Sequence, residues 1–141
     1  MTVRDVLTCL IVAVSAVGCA GVKPVDRSGP ALLVYPKDAA RGETLDIVVV
    51  QHSKHIAVVN LTAHRYEHVQ LWLNQQYGAE IKQIKIGTDN RYSLLRFINE
   101  HGEHVPVAQF LAPDLAAEIV SAELLDPATG MRHVLTVRQG K

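Results

Sequence analysis

The stretch Leu45-Asp46-Ile47-Val48-Val49-Val50-Gln51, the short connection His52-Ser53-Lys54 and the return His55-Ile56-Ala57-Val58-Val59-Asn60-Leu61 decide the fold class. β-Branched residues dominate both arms, and such side chains fit a pleated surface better than a helical one. Each arm is also shorter than the roughly 10–12 residues at which an apolar run begins to favour a helix. Two such runs joined by a tight polar connection predict an antiparallel hairpin.

Outward from the hairpin, the same pattern recurs. Val69-Gln70-Leu71-Trp72-Leu73-Asn74 alternates, with Val69, Leu71 and Leu73 on one face. Ile81–Ile86 reads as a further short strand stopped by Gly87, and Leu94–Asn99 as a helical turn ended by Gly102. Toward the N-terminus, Leu32–Tyr35 reads as a first strand closed by Pro36. Asp126-Pro127-Ala128-Thr129-Gly130 has the composition of a hairpin connection. After it, Met131, His133, Leu135 and Val137 alternate with Arg132, Thr136 and Arg138, which requires a paired strand and favours one over Ala117–Leu125. The competing reading of that segment is a helix capped by Asp114, with Leu115, Ile119 and Ala122 on one face. Six or seven short strands in about 110 residues predict a mostly β domain, a β-sandwich over residues 31–141. The alternative is an α+β fold with one packed helix near 114–125.

The segments Val59-Asn60-Leu61-Thr62 and Leu71-Trp72-Leu73-Asn74 resemble those of a group of small bacterial exported domains with an immunoglobulin-like sandwich. The resemblance spans much of residues 45–125 and implies a fold; it implies no activity.

A different signal occupies the N-terminal residues. After Arg4 and Asp5, the run Val6–Gly18 carries no charge over 13 residues. A membrane-spanning helix needs about 20 apolar residues, whereas a secretory signal has an apolar stretch of this shorter length. The run ends in Ala16-Val17-Gly18-Cys19, which resembles the lipobox of bacterial lipoproteins, departing from it in having alanine where leucine is commoner at the first position. The resemblance implies a signal peptide over 1–18, cleavage before Cys19, and acyl chains on Cys19 that fix the protein to a membrane. Ala20 after the cysteine resembles an outer-membrane address, and implies a domain facing the periplasm. Residues 19–30 then form the lipidated cysteine and a linker with two prolines and two glycines. Cys9 falls inside the removed segment, so the folded domain is expected to hold neither a disulfide nor a free thiol.

Composition narrows the function further. Lysine plus arginine and aspartate plus glutamate both number 14, so the formal charge is zero. A nucleic-acid binder normally shows a basic excess, and none is expected here. No G-x-S-x-G, glycine-rich phosphate loop or paired carboxylates occur, and Glu118 and Glu123 alternate with apolar residues as a solvent face would. The reading is therefore of a non-enzyme that uses no cofactor. Its partners would be the membrane, through Cys19, and another envelope protein or cell-wall polymer. Trp72 is the candidate contact residue, because an exposed indole anchors partners and stacks on sugars; the plainer reading buries it under Tyr66 or Tyr77. Histidine is the one enriched reactive type, with seven copies. His64 and His68 have the i, i+4 spacing that suits Zn²⁺ or Cu²⁺ on a helix, which makes a His-based metal-binding domain the alternative function. These two residues lie between strands, however, and solvated loop histidines are the simpler account.

Overall fold

The β-branched run forms the hairpin its composition predicts. In the computed structural model, which describes residues 32–140, Ile47–Gln51 and His55–Asn60 pair antiparallel from Ile47 opposite Asn60 to Gln51 opposite Ile56. The leader, Cys19 and the linker lie outside the described residues. The strands, in chain order, are β1 (Ala40–Arg41), β2 (Ile47–Gln51), β3 (His55–Asn60), β4 (Tyr66–Leu73), β5 (Tyr77–Ile84), β6 (Gly87–Ser93), β7 (Ala122–Asp126) and β8 (Met131–Gln139). The fold is mostly β. Among the described residues no helix is long and apolar enough to cross a membrane.

The sheet runs β5-β4-β7-β8-β2-β3-β6 and curls so that its two halves face one another. Strand β8 makes this continuous. Its first residues pair with β7 and β1, and its last four, Thr136–Gln139, run parallel to β2 from Val48 to Gln51. Every second residue of each strand faces inward: Val69, Leu71, Leu73, Ile81 and Leu124 from one half meet Ile47, Val49, Ile56 and Val58 from the other in one apolar core. The chain passes between the halves after β1, β3, β5 and β6, and the last three of these make the crossing pattern of a Greek-key sandwich.

A buried asparagine lies in each of the crossings after β3, β5 and β6. Asn60 accepts from the Thr62 amide and hydroxyl and donates to the His64 carbonyl, closing the turn into β4. Asn90 accepts from the Lys85 amide and donates to the Lys85 and Val58 carbonyls, fixing the turn between β5 and β6. Asn99 accepts from the His101 and Glu103 amides and donates to the Glu103 carboxylate. Turn backbone that could not be buried unpaired is satisfied by these three side chains.

Several expectations change in detail. Leu32–Pro36 enters no ladder and runs as an extended strap. Strand β6 was not expected, because Gly87-Thr88-Asp89-Asn90-Arg91-Tyr92-Ser93 lacks an apolar run; it lies at one end of the strand order, where a polar sequence is tolerated. The turn after β6 is a single 3-10 turn, Leu94–Arg96. The helix alternative near 114–125 reduces to a 3-10 turn at Pro113–Leu115. The favoured strand over Ala117–Leu125 is shorter than expected and begins only at Ala122. Residues before it have side-chain partners instead of a ladder. Gln51 donates to the Ala117 carbonyl and accepts from the Ile119 amide, both at 2.8 Å, and Asn74 donates to the Glu118 carbonyl and accepts from the Val120 amide.

Candidate functional site

Strand parity places Trp72, Glu123 and Arg132 on the outer face of the β4–β7–β8 half, opposite the apolar core. Trp72 pairs in register with Glu123 on one side and Gly78 on the other, and Arg132 lies diagonally from Glu123 across the β7–β8 hairpin. Such a face would normally be wet. Here the strap 32–39 crosses it and excludes water.

Tyr35 is the residue that closes this layer. Its ring meets the Trp72 ring edge-on, with centroids 5.5 Å apart. Its hydroxyl donates to Glu123 Oε2 at 2.6 Å and accepts from Arg132 Nη1. Arg132 Nε faces the same carboxylate oxygen at 3.4 Å as an ion pair, without the alignment of a hydrogen bond. Glu123 Oε1 accepts from Gln75 Nε2 at 3.1 Å. Glu123 and Arg132 are only 3% and 9% exposed. Burial, followed by the Glu123 carboxylate that the hydroxyl hydrogen-bonds, pushes the Tyr35 phenol up to about 12.

Two local backbone features hold this arrangement. The β4–β5 turn has positive φ at both Asn74 and Gln75, 53° and 55°, with the Gln76 amide donating to the Leu73 carbonyl. That is the backbone of a tight type I′ hairpin turn, and glutamine is an uncommon choice for it. The strain is retained where the Gln75 side chain reaches Glu123. At Gly78, a Cβ would stand 2.7 Å from the Trp72 ring, so the missing side chain is what lets the indole lie against β5.

Beside this layer lies an open cleft of about 540 Å³, within the size range of small-molecule sites. The strap forms one wall through Tyr35, Lys37 and Asp38, Gln75 lies on the floor, and Glu100 and His101 form the far wall. The rim carries both signs of charge. Beneath it the Glu123 carboxylate and the Tyr35 hydroxyl are taken up by one another, by Gln75 and by Arg132, so what faces a ligand is the rim.

Comparison with protein-family models, with curated proteins and with solved structures returns no match for this chain. Its chemistry is therefore read from its own residues.

Trp72, the candidate contact residue, has 0% of its surface exposed, which corrects the expectation of an indole available to a partner. Its cover is Tyr35; Tyr66 and Tyr77 pack on the apolar core instead. Glu123, assigned to a solvent face, is buried for the same reason, while Glu118 is exposed. His64 lies in the β3–β4 connection and His68 within β4, both exposed, with positive φ at His68. The segment holding them is not a helix, so the spacing that suggested chelation does not apply. Among the described residues no three His, Cys, Asp or Glu side chains cluster as metal ligands would. His52 and His55 stack with ring centroids 4.6 Å apart, and His101 reaches the cleft. Cys19 lies outside the described residues.

Sequence reading missed Tyr35, Gln75, Glu123 and Arg132 as a unit. One signal was available. The 126–130 connection fixes the hairpin register, and parity then puts Glu123 and Arg132 on one face within reach of each other.

Proposed function

We propose that this chain is a lipid-anchored bacterial envelope protein whose sandwich domain is a non-catalytic binding module. The observation that carries the reading is Ala16-Val17-Gly18-Cys19 directly after a 13-residue uncharged run. A single acyl chain anchors reversibly, at about 0.8 kcal/mol per buried methylene, whereas two or three chains on one cysteine hold a protein to its bilayer. Mass spectrometry of the mature protein, with fatty-acid labelling of the wild type and of Cys19→Ala, tests it. An acylated Cys19 at the N-terminus is expected. An unmodified N-terminus, or labelling that survives the substitution, overturns the reading.

The binding half of the proposal draws on the cleft. Its mixed rim, with Lys37 against Asp38 and Glu100, suits a partner carrying amines and carboxylates together, as another envelope protein or the peptide portion of a cell-wall polymer does. That the Glu123 carboxylate is already taken up by the Tyr35 hydroxyl, the Gln75 amide and the Arg132 ion pair supports a static support over an acid–base centre. A photo-reactive residue in place of Asp38 in the full chain should cross-link to envelope material. Equal labelling from position Glu118, which is exposed outside the cleft, would count against the site.

A further inference from the structure

The most exposed large apolar side chains of the domain sit together at one turn. Phe110 is 100% exposed and Leu111 91%, at the apex of a two-residue connection in which Gln109 and Ala112 exchange both backbone hydrogen bonds. The turn is well rooted. Val105 is buried and its amide donates to the Phe97 carbonyl; the Ala117 amide donates to the Pro106 carbonyl, and Val107 and Ala117 pack on the core. From Pro106 to Pro113 the chain carries no charge. A turn so held presents its two apolar residues outward in one orientation, where water makes them costly.

Two further observations say what covers them. Lys54, from the β2–β3 connection, borders the hollow behind Phe110, so the apolar tip has a cation beside it. Leu95 borders that same hollow and also a second one lined by Leu33 of the strap, so the tip stands on the side where the chain enters the domain. Twelve residues separate Cys19 from Leu32. Fully extended they span about 40 Å at most, which keeps the tip within reach of any surface that holds Cys19.

We infer that Phe110 and Leu111 dip into the lipid surface to which the chain is tethered, with Lys54 meeting the anionic headgroups. An aromatic and an aliphatic residue beside a cation is the pattern of an interfacial contact. The contact would be too weak to anchor the protein by itself. Its effect would be to fix the orientation of a domain that a tether at one point otherwise leaves free, turning the β3–β4 end away from the bilayer. The inference takes its geometry from the lipid-anchor reading.

The test uses the full-length protein carrying Phe110→Trp, in vesicles of phosphatidylethanolamine and phosphatidylglycerol with brominated acyl chains. Trp72 is buried, and its signal is subtracted using the wild type. Emission from position 110 should shift to the blue and fall by about half, since interfacial side chains reach the upper acyl region. Leu61→Trp, at the opposite end, should stay unquenched. A protein that floats with the vesicles yet leaves position 110 unquenched overturns the dipping tip and leaves the anchor standing. A protein that does not float overturns the anchor; vesicles are then added to the free full chain up to millimolar lipid, where even an untethered weak contact is populated, and quenching supports the tip while its absence overturns it. Self-association without vesicles that Phe110→Ser abolishes also overturns it, assigning the tip to a second copy of the chain.

Discussion

The two faces of strand β4 are buried by different means. Val69, Leu71 and Leu73 face a dry apolar core that the facing half of the sheet completes. On the other face, Trp72 is equally buried, yet its neighbours Glu123 and Arg132 are charged and its cover is one extended strap. The first face depends on shape. The second depends on charges that must stay paired, because a buried ion without its partner is far more costly than a missing methylene.

The difference can be broken first at the charges. Arg132→Met should cost about 4 kcal/mol by urea denaturation, since Glu123 stays buried without its cation. Adding Glu123→Leu should recover most of that loss, because a well-packed apolar pair of similar volume is often as stable as the ion pair. If the double variant is no better than the single one, the outer layer is not electrostatic in the sense argued. Leu71→Ala on the inner face should cost about 3 kcal/mol, with no second substitution in the outer layer able to rescue it.

Smaller effects sharpen the comparison. Tyr35→Phe removes the hydroxyl that links Glu123 and Arg132, and should cost about 1.5 kcal/mol while leaving the ring on Trp72. The same variant isolates a pH effect. The Tyr35 phenol rises from 10.0 to about 12 on folding, so its stabilising contribution is complete below pH 10 and is lost as the pH climbs toward 12. Tyr92, raised by burial, weakens stability in the same direction. Stability scanned across this alkaline range should fall less steeply in Tyr35→Phe than in the wild type. Gln75→Gly should have the smallest effect, within about 0.5 kcal/mol, because relief of the positive φ offsets the lost hydrogen bond to Glu123.

The inner face was legible in the sequence and the outer layer was not. The β-branched runs at 45–61 mark strands, and alternation at 69–74 and 131–137 reports which side chains share a face; an apolar face must be covered. It does not report whether a polar face is covered too. Glu123 reads as solvated because nothing near it in sequence can shield it; Tyr35, 88 residues away, does so. Strand β6 escaped notice because it lies at the end of the strand order and pairs only with β3, where backbone pairing alone suffices. Segment 117–121 has the composition of a strand but has side-chain amides from Gln51 and Asn74 where a neighbouring strand would be. Long-range partners of this kind leave no local trace. The i, i+4 histidines misled in the opposite way, because their spacing means proximity only on a helix.

Strand β8 belongs to both halves of the curled sheet, and this governs how the molecule comes apart. Neither half can loosen by itself without tearing hydrogen bonds from a strand the other half still holds. Amides deep in β3 and in β4, on opposite walls, should therefore exchange with deuterium at the same free energy of opening. The domain would behave as one indivisible block, with no half-open form for a protease to seize.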